Sequence, residues 1–434
     1  MSVATWNDSS VATLESYLQG LEEPGWVSEV RAAAMERFRQ MDWPTSQDEE
    51  FRRSDLSSFS FESWAFENAP QPSAEVENPA GLSGTITFDG SRALRRTVAE
   101  GLAAKGVVLL SFRDLAAASV PEVVTTQIRD AMLRGVKNAD NRLTLWHYVT
   151  LTHGAILYVP EFLELKDPFM ISFEETGDKV LRSPQIVVVG GTGSRFSVVH
   201  RSRGAEEGDV LYTEGIDIAV GDSGQVNYYL LQNVNIDSSY FSNGLGTVGR
   251  DATLKMYSAV FGGLFSKYRF DAEMDGPGGD AFLGGVYFPH EDQHVDMRTV
   301  QRHIGQKSHS LTLYKGAVIC EAHSVYQGLI SVDHDALNTD AYLTNNNLVL
   351  GDEAQADSIP TLQINTDEVR CSHGSTTGKL DSRHMFYLES RGYSPEEARH
   401  LLIQGFFEEV LADYPEVVID EIHDVVESRI CECD

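Results

Sequence analysis

This 434-residue chain has little cysteine, little lysine and no long apolar run. Each shortage carries a consequence. The 4 cysteines, Cys320, Cys371, Cys431 and Cys433, are too few to staple a chain this long, so no disulfide framework is expected and a reducing compartment is. No stretch approaches the roughly 20 apolar residues that span a bilayer. The opening MSVATWNDSS has neither a basic segment nor an apolar core, which argues against a secretory signal and for the cytoplasm. Lysine supplies 9 of the 34 basic residues against 65 acidic ones, leaving a net charge of -31. Such a chain repels nucleic acid and anionic membrane. Low lysine with an acidic excess suits a high-salt cytoplasm, where screening weakens self-repulsion; an ordinary cytoplasm fits equally well.

The length admits one large or about two to three ordinary domains. Val27, Val30, Ala34 and Phe38 recur at helical spacing, and Pro44 closes that region. The charged run Pro44 to Asp55 reads as a solvated loop, and 66–82, rich in Pro, Asn, Ala and Glu, as a linker. Ser91 to Ala104 reads as a helix, Val107 to Phe112 as a buried strand and Pro121 to Leu133 as a helix. From Leu143 to about Leu350 short strand-like runs follow one another, beginning with Leu145 to Leu151 and punctuated by Gly, Asp, Asn and Ser. No helices of ordinary length fit between them, so a βαβ sheet is not expected. A sandwich, a barrel or a β-helix remains. The many short strands and corners such as Asn345-Asn346-Asn347 favour the β-helix.

The tail is helical. Asp381 reads as an N-cap, Gly392 as a stop and Ser394-Pro395-Glu396-Glu397 as a capping box. Ala398, Leu402, Phe406 and Val410 form one expected face with Leu401 beside it; Val418, Ile422 and Val425 start another helix. The pair is too small for its own core and must rest on the sheet or on a partner. The expected divisions are 1–82 helical and linker, 83–142 small mixed α/β, 143–375 β-helix and 376–434 helical.

Several motifs resemble sites without completing one. Gly374 to Leu380 is one residue short of a phosphate loop, with Leu380 where a magnesium-binding hydroxyl belongs. The Gly190 to Gly193 cluster lacks the dinucleotide fingerprint. His290-Glu291-Asp292-Gln293-His294 matches the zinc-protease pattern, but Pro289 and a strand-like run precede it. On a strand the two imidazoles would stand about 13 Å apart, too far for one metal. Cys320 ends an apolar run and reads as core, and Cys431 and Cys433 lie in the tail. Cys371 and His373 are the strongest pair. Two residues apart on a strand, thiol and imidazole share a face and make a soft ligand pair for iron, zinc or a cluster. Two ligands are half a site, so the rest must come from elsewhere.

The stretch from His294 to Val410 resembles the SufB/SufD family of iron–sulfur cluster assembly proteins. The resemblance rests on Tyr326-Gln327-Gly328-Leu329-Ile330-Ser331-Val332, Thr339-Asp340-Ala341-Tyr342, Asp357-Ser358-Ile359-Pro360, Cys371-Ser372-His373-Gly374 and Phe386-Tyr387-Leu388-Glu389-Ser390-Arg391-Gly392. Tyr158-Val159-Pro160 and the charged Pro44 to Asp55 run are also similar. The Cys-Ser-His-Gly form and that run look like SufD; the additional cysteines usual in SufB are missing.

The resemblance implies a mainly β protein, a right-handed parallel β-helix with helical ends, acting as a non-catalytic scaffold. It implies a SufB-like paralogue joined through the core, or a homodimer when that partner is absent. It implies a SufC-type ABC ATPase on the C-terminal helices, with Met385, Phe386, Leu388, Arg391, Leu401, Leu402 and Phe406 as contact candidates. Cys371 and His373 would hold iron or a nascent cluster transiently at the subunit interface, with no tightly bound cofactor. ATP-driven movement would pull on the tail and open that interface. A β-helix carbohydrate-active enzyme and a metal-free, self-paired scaffold are the alternatives.

Overall fold

The computed structural model describes residues 14, 16–18, 23–56, 59, 64–65, 80–118, 120–175, 177–204 and 208–431. Most of the expected 66–82 linker lies outside these residues. The centre is a parallel β-solenoid of about eight turns. The chain alternates between two sheets, so each turn adds one strand to each. The first sheet begins with the antiparallel hairpin Gly84–Asp89 and Arg92–Val98 and ends at Val369–Gly378. The second begins at Val108–Ser111, antiparallel to His153–Val159, and ends at Gln355–Ile364. Every other pairing within the sheets is parallel. The sequence's many short strands without intervening helices are thus explained by corners rather than crossovers.

The corners carry a signal that sequence reading missed. Positive φ recurs at Gly193, Ser223, Asp251, Gly278, Lys307 and Asn338, one per turn. Each of these residues sits in a corner whose backbone bonds to the next: Gly193 N–H to the Asp222 carbonyl, Ser223 to Arg250, Asp251 to Pro277, Gly278 to Gln306, Lys307 to Leu337 and Asn338 to Glu368. Gly276 and Gly305 precede two of these positions. A Cβ on Gly276 would lie 2.1 Å from the Arg250 nitrogen, and one on Gly305 would lie 2.4 Å from the Gly276 oxygen, so stacking tolerates no side chain there.

Three apolar layers hold the fold. Inward side chains such as Ile186, Val226, Leu254, Phe270, Leu283, Met297, Tyr326 and Leu343 fill the solenoid. The helices Gly25–Phe38, Glu122–Asn138 and Arg142–Thr150 cover the second sheet through Val27, Ile128, Met132 and Trp146. Helices Pro395–Leu411 and Glu416–Cys431 cover the first sheet through Phe407, Val410, Ile422 and Ile430 against Val199, Leu231, Phe261 and Val286. Of the two supports its small size left open, the sheet or a partner, the tail pair rests on the sheet.

Four local expectations are corrected. Arg92–Val98 is a strand, because pairing with Gly84–Asp89 outweighs helix propensity in the 91–104 segment. Leu145 to Leu151 falls largely within the helix Arg142–Thr150, capped by the Asn141 side chain on the Thr144 N–H at 2.9 Å. That helix is buried all round, so it lacks the polar face that marks a helix in sequence. The Pro44 to Asp55 run is no solvated loop: Phe51 and Ser54 are buried in it. The buried face of Pro395–Leu411 is Ala398, Ile403, Phe407, Val410 and Leu411, leaving Leu402 and Phe406 half-exposed. A strict four-residue step drifts around a helix that turns every 3.6 residues, so the series 398, 402, 406, 410 follows no single face, and only its first and last members are buried.

Candidate functional site

Cys371 and His373 occupy the last strand of the first sheet, Val369–Gly378. Register places them in two inward columns. Leu254, Ala281, Ser310, Ala341 and Cys371 form one; Met256, Leu283, Thr312, Leu343 and His373 form the other. Every member before the final turn is buried. Among the described residues no further strand covers the last pair, so Cys371 is half-buried and His373 exposed. The sheet that would be solenoid interior becomes an open mouth. On the facing strand Gln355–Ile364, Ser358, Pro360, Leu362 and Ile364 continue the inward columns of Tyr326, Gly328, Ile330 and Val332. Both last strands are sheet edges, and Ile364 on the second of them is 38% exposed.

Burial, and then the Asp340 carboxylate, push the Cys371 thiol above its ordinary pKa; a hydrogen bond with the Ala341 backbone offsets part of that. The free thiol is therefore protonated near neutrality, and an incoming metal must displace that proton. Among the described residues, no group of three or more His, Cys, Asp or Glu side chains is placed to hold a metal ion. The open end supplies two donors and room for others.

The other motifs resolve without chemistry. His290 lies in a corner, and His294 opens the strand His294–His303, its ring stacked on Phe265 with centroids 5.0 Å apart. No helix presents the two imidazoles to one metal. Gly374 and Gly378 belong to an extended strand rather than to a loop that opens a helix. The expectation that Cys320 is a core thiol is corrected: it is disulfide-bonded at a corner residue with φ 58°. The side chains of Cys431 and Cys433 lie outside the described residues.

The candidate dock is built on the tail. The helix Ser382–Ser390 begins at Asp381, whose carboxylate accepts from the Arg383 N–H at 2.8 Å. The following helix carries the full Ser394 and Glu397 capping box. Phe386 is 71% exposed and Leu401 42%, while Met385, Leu388 and Leu402 are half-buried. Arg391 is exposed and lies over Tyr387, 5.1 Å from the ring centre. Phe406 is partly spent within the chain: the Lys315 ammonium sits 4.6 Å from its ring centre and donates to its carbonyl at 2.7 Å. Tyr387 and Tyr393, 56% and 45% exposed, belong to the same region and were missed. Their exposure depends on which face the neighbouring helix covers, which no local pattern specifies.

The tail is pinned to the solenoid. Glu421 accepts from Arg201 at 2.7 Å and from Arg203 Nε at 2.6 Å. Arg429 is buried and donates to the Phe288 and Phe261 carbonyls and to Gln293 Oε1, the last at 3.1 Å. Tyr257 donates to Asp413 at 2.9 Å.

The family model described as SUF system FeS cluster assembly, SufBD core domain, matches residues 173–406, more than half of the chain. The chain belongs to the SufB/SufD family. The matched span runs from the early solenoid through the open rung into the second tail helix. A SufBD family iron–sulfur cluster assembly protein of Mycobacterium leprae is 34% identical over 213 residues, 47% of this chain and 54% of that protein. The chain thus matches about half the length of this mycobacterial relative. The SufD of Bacillus subtilis is 25% identical over 431 residues, 96% of this chain and 97% of that protein. The SufD of Escherichia coli is 31% identical over 193 residues, 44% of this chain and 46% of that protein. No described helix is long and apolar enough to cross a membrane.

Proposed function

We propose that this chain is the SufD-type scaffold subunit of a cytoplasmic complex that assembles iron–sulfur clusters. The carrying observation is that Cys371 and His373 are the last members of inward columns and stand at an open end. A thiol and an imidazole on one exposed face can each donate to iron or to a nascent cluster, which is cargo rather than a resident cofactor. Completing its coordination requires ligands from a second chain.

The two uncovered edges offer the place for that chain. An exposed edge strand presents unpaired N–H and C=O groups, and a partner strand can add to it. A SufB-like paralogue is the expected partner, and a second copy of this chain substitutes when the paralogue is absent. The aromatic face of 382–406, with Phe386, Arg391 and Leu401 outward, suits an ABC-type ATPase of the SufC kind. The dock helix Ser382–Ser390 follows strand Val369–Gly378 directly in the chain, so ATP-driven movement of the dock would be transmitted to the rung that carries the ligands, while Arg429 and Glu421 hold the end of the tail on earlier turns. The chain itself performs no catalysis in this reading, and 376–434 acts as its handle.

The test is anaerobic reconstitution with iron(II) and sulfide on the complex with the paralogue, monitored by absorbance. His373→Ala should lower the cluster absorbance at least several-fold while leaving assembly of the complex intact. Unchanged absorbance would remove the ligand role. Phe386→Ala should weaken ATPase binding without altering reconstitution on the chain and paralogue alone.

A further inference from the structure

The charged run near the N-terminus has no part in the reading above, yet it makes polar contacts with four successive turns. Residues 45–56 lie across the outer face of the second sheet. Glu50, 13% exposed, faces Lys267 at 3.7 Å, Arg269 at 3.4 Å and Arg298 at 3.5 Å, and its carbonyl accepts from Gln327 at 2.8 Å. Phe51 is buried beneath the Lys267 ammonium.

The next contacts close a circuit. Ser54 bonds to the His294 ring at 3.0 Å. His294 meets His323 edge to face, with ring centres 4.9 Å apart. His323 Nε2 bonds to Asp357 at 3.0 Å, and Asp357 pairs with Arg53 Nε at 3.3 Å. Two consecutive residues of the strap, 53 and 54, are thereby joined through three consecutive strands of one sheet. The last of these, Gln355–Ile364, is an open edge. A terminal strand has a neighbour on one side only, so a second attachment matters more there than in mid-sheet.

We propose that Arg53 is a positioning residue for the open rung: through Asp357 the N-terminal strap holds strand Gln355–Ile364 in the register to which a partner strand adds. The proposal rests on the reading of that rung as the partner edge. Arg53 touches no cargo and acts through Asp357. The partner it serves is a polypeptide chain that docks by strand addition.

The experiment is hydrogen exchange on the free full-length chain, paired with a measurement of association with the SufB-like paralogue. The Arg53–Asp357 pair is partly exposed, so its loss should speed exchange of the protected amides in 355–364 by about two- to fivefold. Arg53→Glu should show this while amides of His309–Val318 stay unchanged. Arg53→Lys should retain the native rate, and the charge swap Arg53→Asp with Asp357→Arg should restore it. Association should weaken in Arg53→Glu and recover in the swap. Unchanged exchange overturns the proposal. A uniform rise across the solenoid marks a general loss of stability and overturns it too. Faster exchange confined to 355–364 with undiminished association leaves the strap as a positioner but removes the partner edge on which the proposed function relies.

Discussion

Leu343 and His373 are register partners on adjacent parallel strands, yet the first is fully buried and the second is exposed. The strand of Leu343 has a neighbour on each side, whereas that of His373 ends its sheet. Leu343→Ala should destabilise the fold by about 2–5 kcal/mol, the range for emptying a packed site. His373→Ala should change stability by less than about 0.5 kcal/mol, as an exposed position allows. Urea midpoints of the two variants test the contrast, which is the stability counterpart of assigning His373 a ligand role.

Glu50 faces three cations from two strands. Removing its charge leaves those groups only partly compensated, since Lys267 keeps Asp296 at 2.7 Å and Arg269 keeps Asp271 at 2.8 Å and Asp140 at 2.6 Å. Glu50→Gln should cost about 1–3 kcal/mol, the scale of a buried group left short of partners. Chemical denaturation measures it, and a loss confined to the N-terminal strap should appear as faster proteolysis there.

Asp217 lies buried between the helical layer and the second sheet, with Gln185 donating to it at 3.0 Å and Tyr148 at 3.2 Å. Burial outweighs both donors and pushes its pKa from 3.8 up to about 8. The folded chain therefore holds this proton more tightly than the unfolded chain does. Its contribution to stability is full below about pH 4 and is lost as pH rises through about 8, with a limiting slope of about 1.4 kcal/mol per pH unit. Asp217→Asn should flatten the stability profile between pH 5 and 9. Urea titrations at three pH values in that window would show it.

Four histidines work in the opposite direction. Burial lowers His153 and His303 to about 3 and His290 and His294 to about 4; nearby positive charge or other histidines add to the shift, while the Asp296 and Asp357 carboxylates partly oppose it at His294. Each is held neutral in the fold, so its contribution is present above the ordinary 6.5 and is lost as pH falls toward 4 and 3. Cooperative unfolding should set in on acidification below about pH 5. His303→Gln, which can still bond to Ser308 and Ser310, should shift that onset downward in a circular-dichroism titration.

The sequence carried the strand-rich middle, the capped tail helices and the Cys371–His373 pair because those signals are local. A period of two, a capping box and a two-residue spacing can each be read from a few neighbours. The solenoid was favoured over a sandwich or barrel on weaker grounds, since the corner positions recur near every thirtieth residue without one residue type: Gly, Ser, Asp, Lys and Asn all serve at positive φ. Arg142–Thr150 and Arg92–Val98 were misread because neighbours far along the chain outweigh local propensity.

By itself the sequence determined the family and the absence of a phosphate loop, and it singled out the residue pair proposed here as soft-metal donors. Tertiary structure alone decided that Cys371 and His373 stand at an open mouth instead of inside a column, that Phe406 is half spent on Lys315, and that a charged N-terminal segment reaches Asp357 on the last rung. The reason is physical. Exposure at the end of a stack depends on whether another layer covers it, and a salt bridge across some three hundred residues depends on the path of the whole backbone. Neither is written in any short stretch of chain.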